Sequence, residues 1–439
     1  MVRLWYPFGS IENGNSPLNT AFRKRLKGAL SRRGLRTLRA RFARRLSWAT
    51  FIAVTGSSGK STTVMLTSHL LSGIAPVRTQ AFKSFVGAHI ISLQVPLPPH
   101  GCYVGEIGTE GPGTLQPAID LIRPSVGIVT LVALEHKSAF RTIEAVAEEK
   151  QKLVEALPAK GLAILNCDDR RVAAMAARTK ARVVIFGQKG GDYVISNLRC
   201  VAPGHLGLTI TYRGQAFDIT SNLTGVHQSL AVAAAFACAH QLDVPPALII
   251  ERIASFAPVF GRCSVHRVEN GPIFIVDTIK APYHSIQLAL DMVGAFSAPR
   301  KRIVVGQLSD SSGGSSSQIY PKVYRAARSV ADQVIFVGEH SHRSKAAAED
   351  IAARLFVEKR SVHEAAQFLK ETSLPGEIIF LKSSQQLHLE RAMINFGVEV
   401  RCWEQTCGKM IDCYLCGSFL TPYKGLKLYK RRIFEAPRE

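Results

Sequence analysis

The fold is decided by Thr50-Phe51-Ile52-Ala53-Val54-Thr55-Gly56-Ser57-Ser58-Gly59-Lys60-Ser61. Thr50 to Val54 is a short apolar run that reads as a strand. A helix follows from Lys60 to about Leu71, with Gly73 as its stop. Between them, Gly56 and Gly59 allow main-chain N–H groups to turn inward around phosphate oxygens. Lys60 brings a cation to the terminal phosphates, Ser61 offers a hydroxyl to Mg²⁺, and the helix N-terminus favours an anion. Gly56, Ser57, Ser58, Gly59, Lys60, Ser61 and Thr62 are therefore the candidate triphosphate-binding residues, with ATP and Mg²⁺ as the implied ligands.

Working outward, short apolar runs alternate with helical patterns, which argues for parallel α/β units. Strands are expected at Cys102 to Ile107, Val126 to Val132, Leu162 to Leu165 and Val183 to Phe186. A second series runs through Ile273–Val276, Ile303–Val305, Val334–Val337 and Ile378–Leu381. Turn residues from Pro258 to Gly261 separate the two series, and Ser309 to Ser317 reads as a flexible loop. The expected division is a basic arm (1–48), an ATP-binding α/β domain (49–258), a Rossmann-like α/β domain (259–395) and a Cys-rich tail (396–439). In the helix Thr142 to Leu157, Ile143, Val146, Val154 and Leu157 form the apolar stripe, and Lys150 lies on it. A lysine there is costly unless it is paired, modified or snorkelling outward.

In composition the chain is globular: 439 residues, 46% hydrophobic and 20% charged. No uninterrupted apolar run is long enough for a transmembrane helix. No secretory leader pattern is present, so the cytoplasm is the default compartment. Residues 1–50 hold twelve Arg or Lys against the single acid Glu12, which is half of the formal net charge of +22. Phe22, Leu26 and Leu30, then Leu35, Leu38, Phe42 and Leu46, follow helical spacing, with Gly34 interrupting. Such an arm either lies on an anionic membrane surface or a polyanion, peripheral at the inner membrane face, or docks by its leucines onto the next domain. Four of nine cysteines, Cys402, Cys407, Cys413 and Cys416, fall within fifteen residues. Their density suits structural Zn²⁺ or a redox cluster, and no neighbouring His suggests a catalytic zinc.

The shortened loop Val54-Thr55-Gly56-Ser57-Ser58-Gly59-Lys60-Ser61 resembles that of the Mur ligases, and the resemblance extends in order from about residue 50 to 395. Gly105-Glu106-Ile107-Gly108 resembles the family's second nucleotide motif, which implies Mg²⁺ binding by Glu106. Thr130 to Glu144 resembles its strand-then-histidine segment, which implies a metal role for His136. Lys150 stands where the family's lysine is often carbamylated and helps hold a second Mg²⁺. Asn166-Cys167-Asp168-Asp169, Gly225-Val226-His227-Gln228, Gly261-Arg262, Asp277 to Pro282 and Leu381-Lys382-Ser383-Ser384 resemble further nucleotide motifs. They imply nucleotide contacts by Asn166, His227, Arg262 and Asp277.

The pattern is nearest to the branch that adds D-alanyl-D-alanine to the cell-wall precursor. Three departures stand out: Phe82-Lys83-Ser84-Phe85 replaces an Asn-rich segment, Leu131 replaces Asn, and only some fifty basic residues precede the loop. The last implies that the family's UDP-binding N-terminal domain is missing. The resemblance implies an ADP-forming carboxylate–amine ligase in peptidoglycan biosynthesis that works through an acyl phosphate on small-molecule acid and amine substrates. Lys60, His136, Lys150 and Arg262 would carry the catalysis. The alternatives are a ligase with a non-UDP acceptor, of the polyglutamate or tailoring amide type, and a non-catalytic ATP-binding scaffold.

Overall fold

The computed structural model describes residues 32–82, 84–309, 315–405, 407–409 and 411–423. The first part of the basic arm, with Phe22, Leu26 and Leu30, lies outside the described residues.

Two sheets organise the chain, each with its apolar strand residues buried between helices. The first has nine strands in the order β2 (Val77–Gln80), β3 (Cys102–Glu106), β1 (Thr50–Thr55), β4 (Val126–Val129), β5 (Leu162–Asn166), β6 (Arg182–Gly187), β7 (Tyr193–Cys200), β8 (Leu206–Tyr212) and β9 (Gln215–Ser221). Strands β1 to β7 pair in parallel, and β7, β8 and β9 form an antiparallel extension. The turn between β8 and β9 has Arg213 at φ 49° and Gly214 at φ 81°, the two positive values that a tight hairpin needs.

The second sheet runs β10 (Ser264–Arg267), β11 (Ile273–Asp277), β15 (Ile378–Lys382), β12 (Lys301–Val305), β13 (Gln333–Val337) and β14 (Phe356–Lys359). It is parallel except for β10. The fold is thus mixed α/β with two large, mostly parallel sheets.

Register places the chemistry. Val54 of β1 is opposite Glu106 of β3, and Thr55 is opposite Val129 of β4. The C-terminal ends of these three strands therefore deliver the glycine-rich loop, Glu106 and the segment 130–136 side by side, at the edge where open α/β sheets bind ligands. In the second sheet Asp277 and Val305 are both opposite Lys382.

Helix α1 (Arg32–Leu46) passes through Gly34 without a break and packs on the sequence that follows, but not by its leucines. Ala40 and Ala43 are the buried residues, and Arg44 donates to the carbonyls of Ile122 and Arg123. Leu35, Leu38, Phe42 and Leu46 are 50–64% exposed, and Trp48 is 82% exposed. Among the described residues, the leucine-docking expectation is therefore overturned. Small residues and arginine-to-carbonyl bonds make the contact, and the apolar stripe faces outward.

Helix α2 (Lys60–Leu71) follows the loop and is buried on nearly every face, because alanine-rich α4 (Ser229–Gln241) can approach it closely. Helix α3 (Ile143–Glu155) starts at Thr142, whose hydroxyl accepts from the Ala145 N–H. No described helix is long and apolar enough to cross a membrane.

Candidate active site

The loop 56–61 is held open by its neighbours. Gly56 has φ 146°, and a Cβ there would lie 1.9 Å from Thr130 Oγ1. Gly59, at φ 79°, caps α2 in a left-handed conformation. Thr130 Oγ1 donates to the Ser58 carbonyl at 2.6 Å, and the Ser57 N–H donates to the Leu131 carbonyl at 2.8 Å. Ser57 Oγ also bonds the main chain of Ala133 in both directions. Leu131 contributes its main chain, not its side chain, to this tethering. Lys60 is buried and donates to the Gly56 carbonyl at 2.6 Å.

Glu106 joins this group from β3. Its Oε2 accepts from Ser61 Oγ at 2.7 Å and from the Phe82 N–H at 3.1 Å. Burial pushes its carboxyl upward, but Lys60, Ser61, Arg262 and the Phe82 amide outweigh that and hold it below the ordinary carboxylate range. The carboxylate is thus ionised next to the serine hydroxyl of the loop. Arg262 arrives from the second half of the chain. Its Nη2 is 3.5 Å from Ser61 Oγ, and its buried Nε has no hydrogen-bond partner. An anionic ligand at the loop would supply one.

Lys150 is fully buried, and Glu135 satisfies it: Nζ to Oε1 is 2.5 Å. Burial pulls the ammonium down to about 8, with Glu135 opposing and Lys60 reinforcing the shift. Burial would raise the Glu135 carboxyl, yet Lys150, Lys60 and His136 keep it low. His136 is the next residue, at φ 47°, and lines a cleft of about 1790 Å³ together with Ser57, Glu135, Arg262 and Lys280. Lys280, like Arg262, comes from the second half and is lowered by burial, Lys60 and Arg262.

Asn166 and Asp169 serve the frame. Asn166 Nδ2 donates to the Thr130 carbonyl at 2.7 Å, and its Oδ1 accepts from the Asp168 N–H. Asp169 accepts from the Val132 N–H at 2.6 Å. Both fix the segment that tethers the loop. In the second half, Asp277 is paired with Lys382 at 2.5 Å, both buried. His227 is influenced by these same two charges. Ser383 Oγ accepts from the Gln307 N–H at 3.1 Å, and the missing side chain at Gly306 makes room for it.

The structure therefore gathers Ser57, Lys60, Ser61, Glu106, His136, Lys150 and Arg262 around one cleft. Asn166 lies behind it, and His227 and Asp277 form a separate group with Lys382. Sequence reasoning quoted the segments that hold Glu135, Thr130, Lys280 and Lys382 but assigned these four residues no role. An acid adjoining His136 and a lysine within the quoted loop 277–282 were signals for two of them. Of the tail cysteines, only Cys413 falls in a cluster of close potential metal donors among the described residues, and its companions are His388 and Glu390. The expected set of four thiolates is not assembled, and the expectation that no His lies near is corrected.

Comparison with known proteins gives a consistent answer. Residues 54–239 match the Mur ligase middle domain. The UDP-N-acetylmuramate–L-alanine ligase of Clostridium acetobutylicum is 26% identical over 255 residues, covering 57% of this chain and 53% of the relative. The UDP-N-acetylmuramoyl-tripeptide–D-alanyl-D-alanine ligase of Escherichia coli is 24% identical over 300 residues, covering 67% and 66%. The chain thus spans about half to two thirds of the length of these curated relatives. Among solved structures, MurF from Acinetobacter baumannii matches with a TM-score of 0.72 at 21% identity, covering 83% of this chain and 80% of that one. MurF from Thermotoga maritima in complex with ADP gives 0.72 at 21%, covering 82% of each.

Proposed function

We propose that this chain, whose residues 54–239 form a Mur ligase middle domain, is an ATP-dependent, ADP-forming ligase that joins a carboxylate to an amine. The observation that carries the reading is Glu106 held ionised against Ser61, with Lys60 and Arg262 around them from the two halves of the chain. In this reading a substrate carboxylate attacks the γ-phosphate of ATP, giving an acyl phosphate and ADP. An amine then attacks the acyl carbon, and phosphate leaves.

The loop amides, Lys60 and Arg262 stabilise negative charge on the phosphoryl group in transfer, a mainly electrostatic task. Ser61 and Glu106 are the donors suited to Mg²⁺, whose role is to neutralise phosphate charge. His136 and Glu135 present a second nitrogen and oxygen donor to the same cleft. Lys150 acts through Glu135 as a positioning residue. Closure of the second half over the first, bringing Arg262 and Lys280, excludes water that would hydrolyse the acyl phosphate. The test is ADP release by the full chain over a panel of carboxylic acids, UDP-muramoyl peptides among them, combined with amines. Release that needs both an acid and an amine supports the ligase. Nucleotide binding with no release in any combination favours the scaffold.

Phe82, Phe85, Phe260, Tyr414, Leu415 and Phe419 line part of the cleft, alongside polar residues. That composition favours an acceptor with an apolar portion.

The arm supports a peripheral role at an anionic membrane. Leu35, Leu38, Phe42 and Leu46 form an exposed stripe on α1, in a helix that also carries seven arginines. Sedimentation of the full chain with phosphatidylglycerol vesicles, lost on Leu38→Glu/Phe42→Glu, is the expected result. Equal binding by the variant, or by polyanions alone, refutes it. The Cys-rich tail is read as a structural metal site.

A further inference from the structure

The tail (411–420) folds back on the segment that follows β15, and the contact buries chemistry that neither protein packing nor the ligase reaction uses. His388, Glu390 and Cys413 are all buried, and one donor atom from each lies within 4.8 Å of the others. Glu390 is 1% exposed. Its Oε1 accepts from the Cys413 N–H at 3.1 Å and is 3.3 Å from His388 Nδ1. Its Oε2 has no partner at all. A buried carboxylate oxygen without a donor is costly, and a bound cation removes the cost. Cys407 Sγ lies 3.1 Å from the other ring nitrogen, Nε2 of His388, and fixes the imidazole with Nδ1 towards Glu390.

The remaining two thiols are engaged otherwise. Cys416 Sγ accepts from the Lys409 ammonium at 3.1 Å. Cys402 sits against Arg391, whose guanidinium donates to the Cys402 carbonyl at 2.7 Å and approaches its sulfur at 4.0 Å. A dication placed between those two sulfurs would meet two fixed positive charges.

We propose that His388, Glu390 and Cys413 hold a structural Zn²⁺ that staples the tail onto the second sheet, with Cys407 orienting His388. A borderline-soft ion accepts imidazole, carboxylate and thiolate together, whereas Mg²⁺ and Ca²⁺ require oxygen ligands. One thiolate and one carboxylate balance the charge of Zn²⁺. All three donors are buried beneath the tail, which suits a structural role for the ion. Its position gives it a consequence for the cleft, since Tyr414, Leu415 and Phe419 reach the cleft wall from the stapled segment.

The test uses the full chain and Zn²⁺ or Co²⁺ as probes. The parent should carry about one zinc per chain, and Co²⁺ should give the ligand-field bands of a tetrahedral site with thiolate-to-metal charge transfer. Cys413→Ser, His388→Ala and Glu390→Gln should each weaken zinc by tenfold or more against a competing chelator, the scale seen when groups that hold or orient a metal are replaced. Cys402→Ser and Cys416→Ser should stay within about threefold. Binding of an ATP analogue to each variant reports separately on the phosphate site, so loss of one reading leaves the other intact and shows that the variant has folded. A parent that takes up neither metal overturns the proposal. So does a His388→Ala variant with parental affinity, or a site destroyed by Cys402→Ser and Cys416→Ser, which would indicate four thiolates.

Discussion

Substituting Gly56 by alanine probes how the phosphate loop is shaped. The residue sits at φ 146°, and strain of this kind costs a side chain about 1–3 kcal/mol. The new Cβ would also lie 1.9 Å from Thr130 Oγ1, so Thr130 must turn away and release the Ser58 carbonyl, now bound at 2.6 Å. Leaving that buried pair unsatisfied costs about 1–3 kcal/mol. Together these give roughly 2–6 kcal/mol against the binding-competent loop, and every 1.4 kcal/mol is tenfold in affinity. Calorimetric titration with Mg²⁺ and a non-hydrolysable ATP analogue should therefore show affinity lowered by about thirtyfold or more. Thr130→Ala in the same chain removes the clashing oxygen but leaves the strain, the unpaired Ser58 carbonyl and the close Leu131 main chain, so the double variant should recover only part of the affinity lost in Gly56→Ala. A Gly56→Ala protein that binds within about threefold of the parent, or a double variant no better than the single, would refute the reasoning.

Three further outcomes follow from the same geometry. Glu135→Gln leaves the Lys150 ammonium buried without its counter-charge, and urea unfolding near neutral pH should show a loss of about 3–5 kcal/mol, the usual result of breaking a buried pair. The Lys150 ammonium titrates near 8 when folded, against 10.5 for an ordinary lysine, so the unfolded chain binds the extra proton between those values. Stability should therefore rise with pH across that window, and the rise should flatten in Glu135→Gln/Lys150→Met; an unchanged slope contradicts the burial. Because Glu135 already satisfies Lys150, turnover should not depend on added bicarbonate, whereas activation by bicarbonate would restore the carbamylated lysine that the family resemblance implies.

What the sequence disclosed and what it withheld divide along physical lines. Parallel strands buried on both faces, such as β1, β4 and β12, are continuous apolar runs and were readable as such. Strand β2 (Val-Arg-Thr-Gln) is half exposed and carries no such run, and β9 alternates polar and apolar residues at an antiparallel edge, so both escaped. Lys150 was legible because helical spacing alone places it inward. Its partner Glu135 was not, because the pair forms between a loop and a helix fifteen residues apart, and only the fold sets that distance. Arg262 could be located by motif, but its meeting with Ser61 depends on how the two sheets face each other. The tail misled for a related reason. Spacing counts cysteines along the chain, whereas His388 and Glu390 reach Cys413 only through the packing of the tail on the second sheet.

The central claim is that a substrate carboxylate, and not water, takes the γ-phosphoryl group in the cleft shared by Lys60, Glu106 and Arg262. The direct measurement is the oxygen isotope content of the released phosphate when an acid–amine pair that supports ADP formation is supplied with ¹⁸O in its carboxylate. One labelled oxygen in each phosphate is the predicted result, because the acyl phosphate leaves that atom on phosphorus when the amine attacks. Phosphate without the label, its fourth oxygen taken from solvent, would contradict the account.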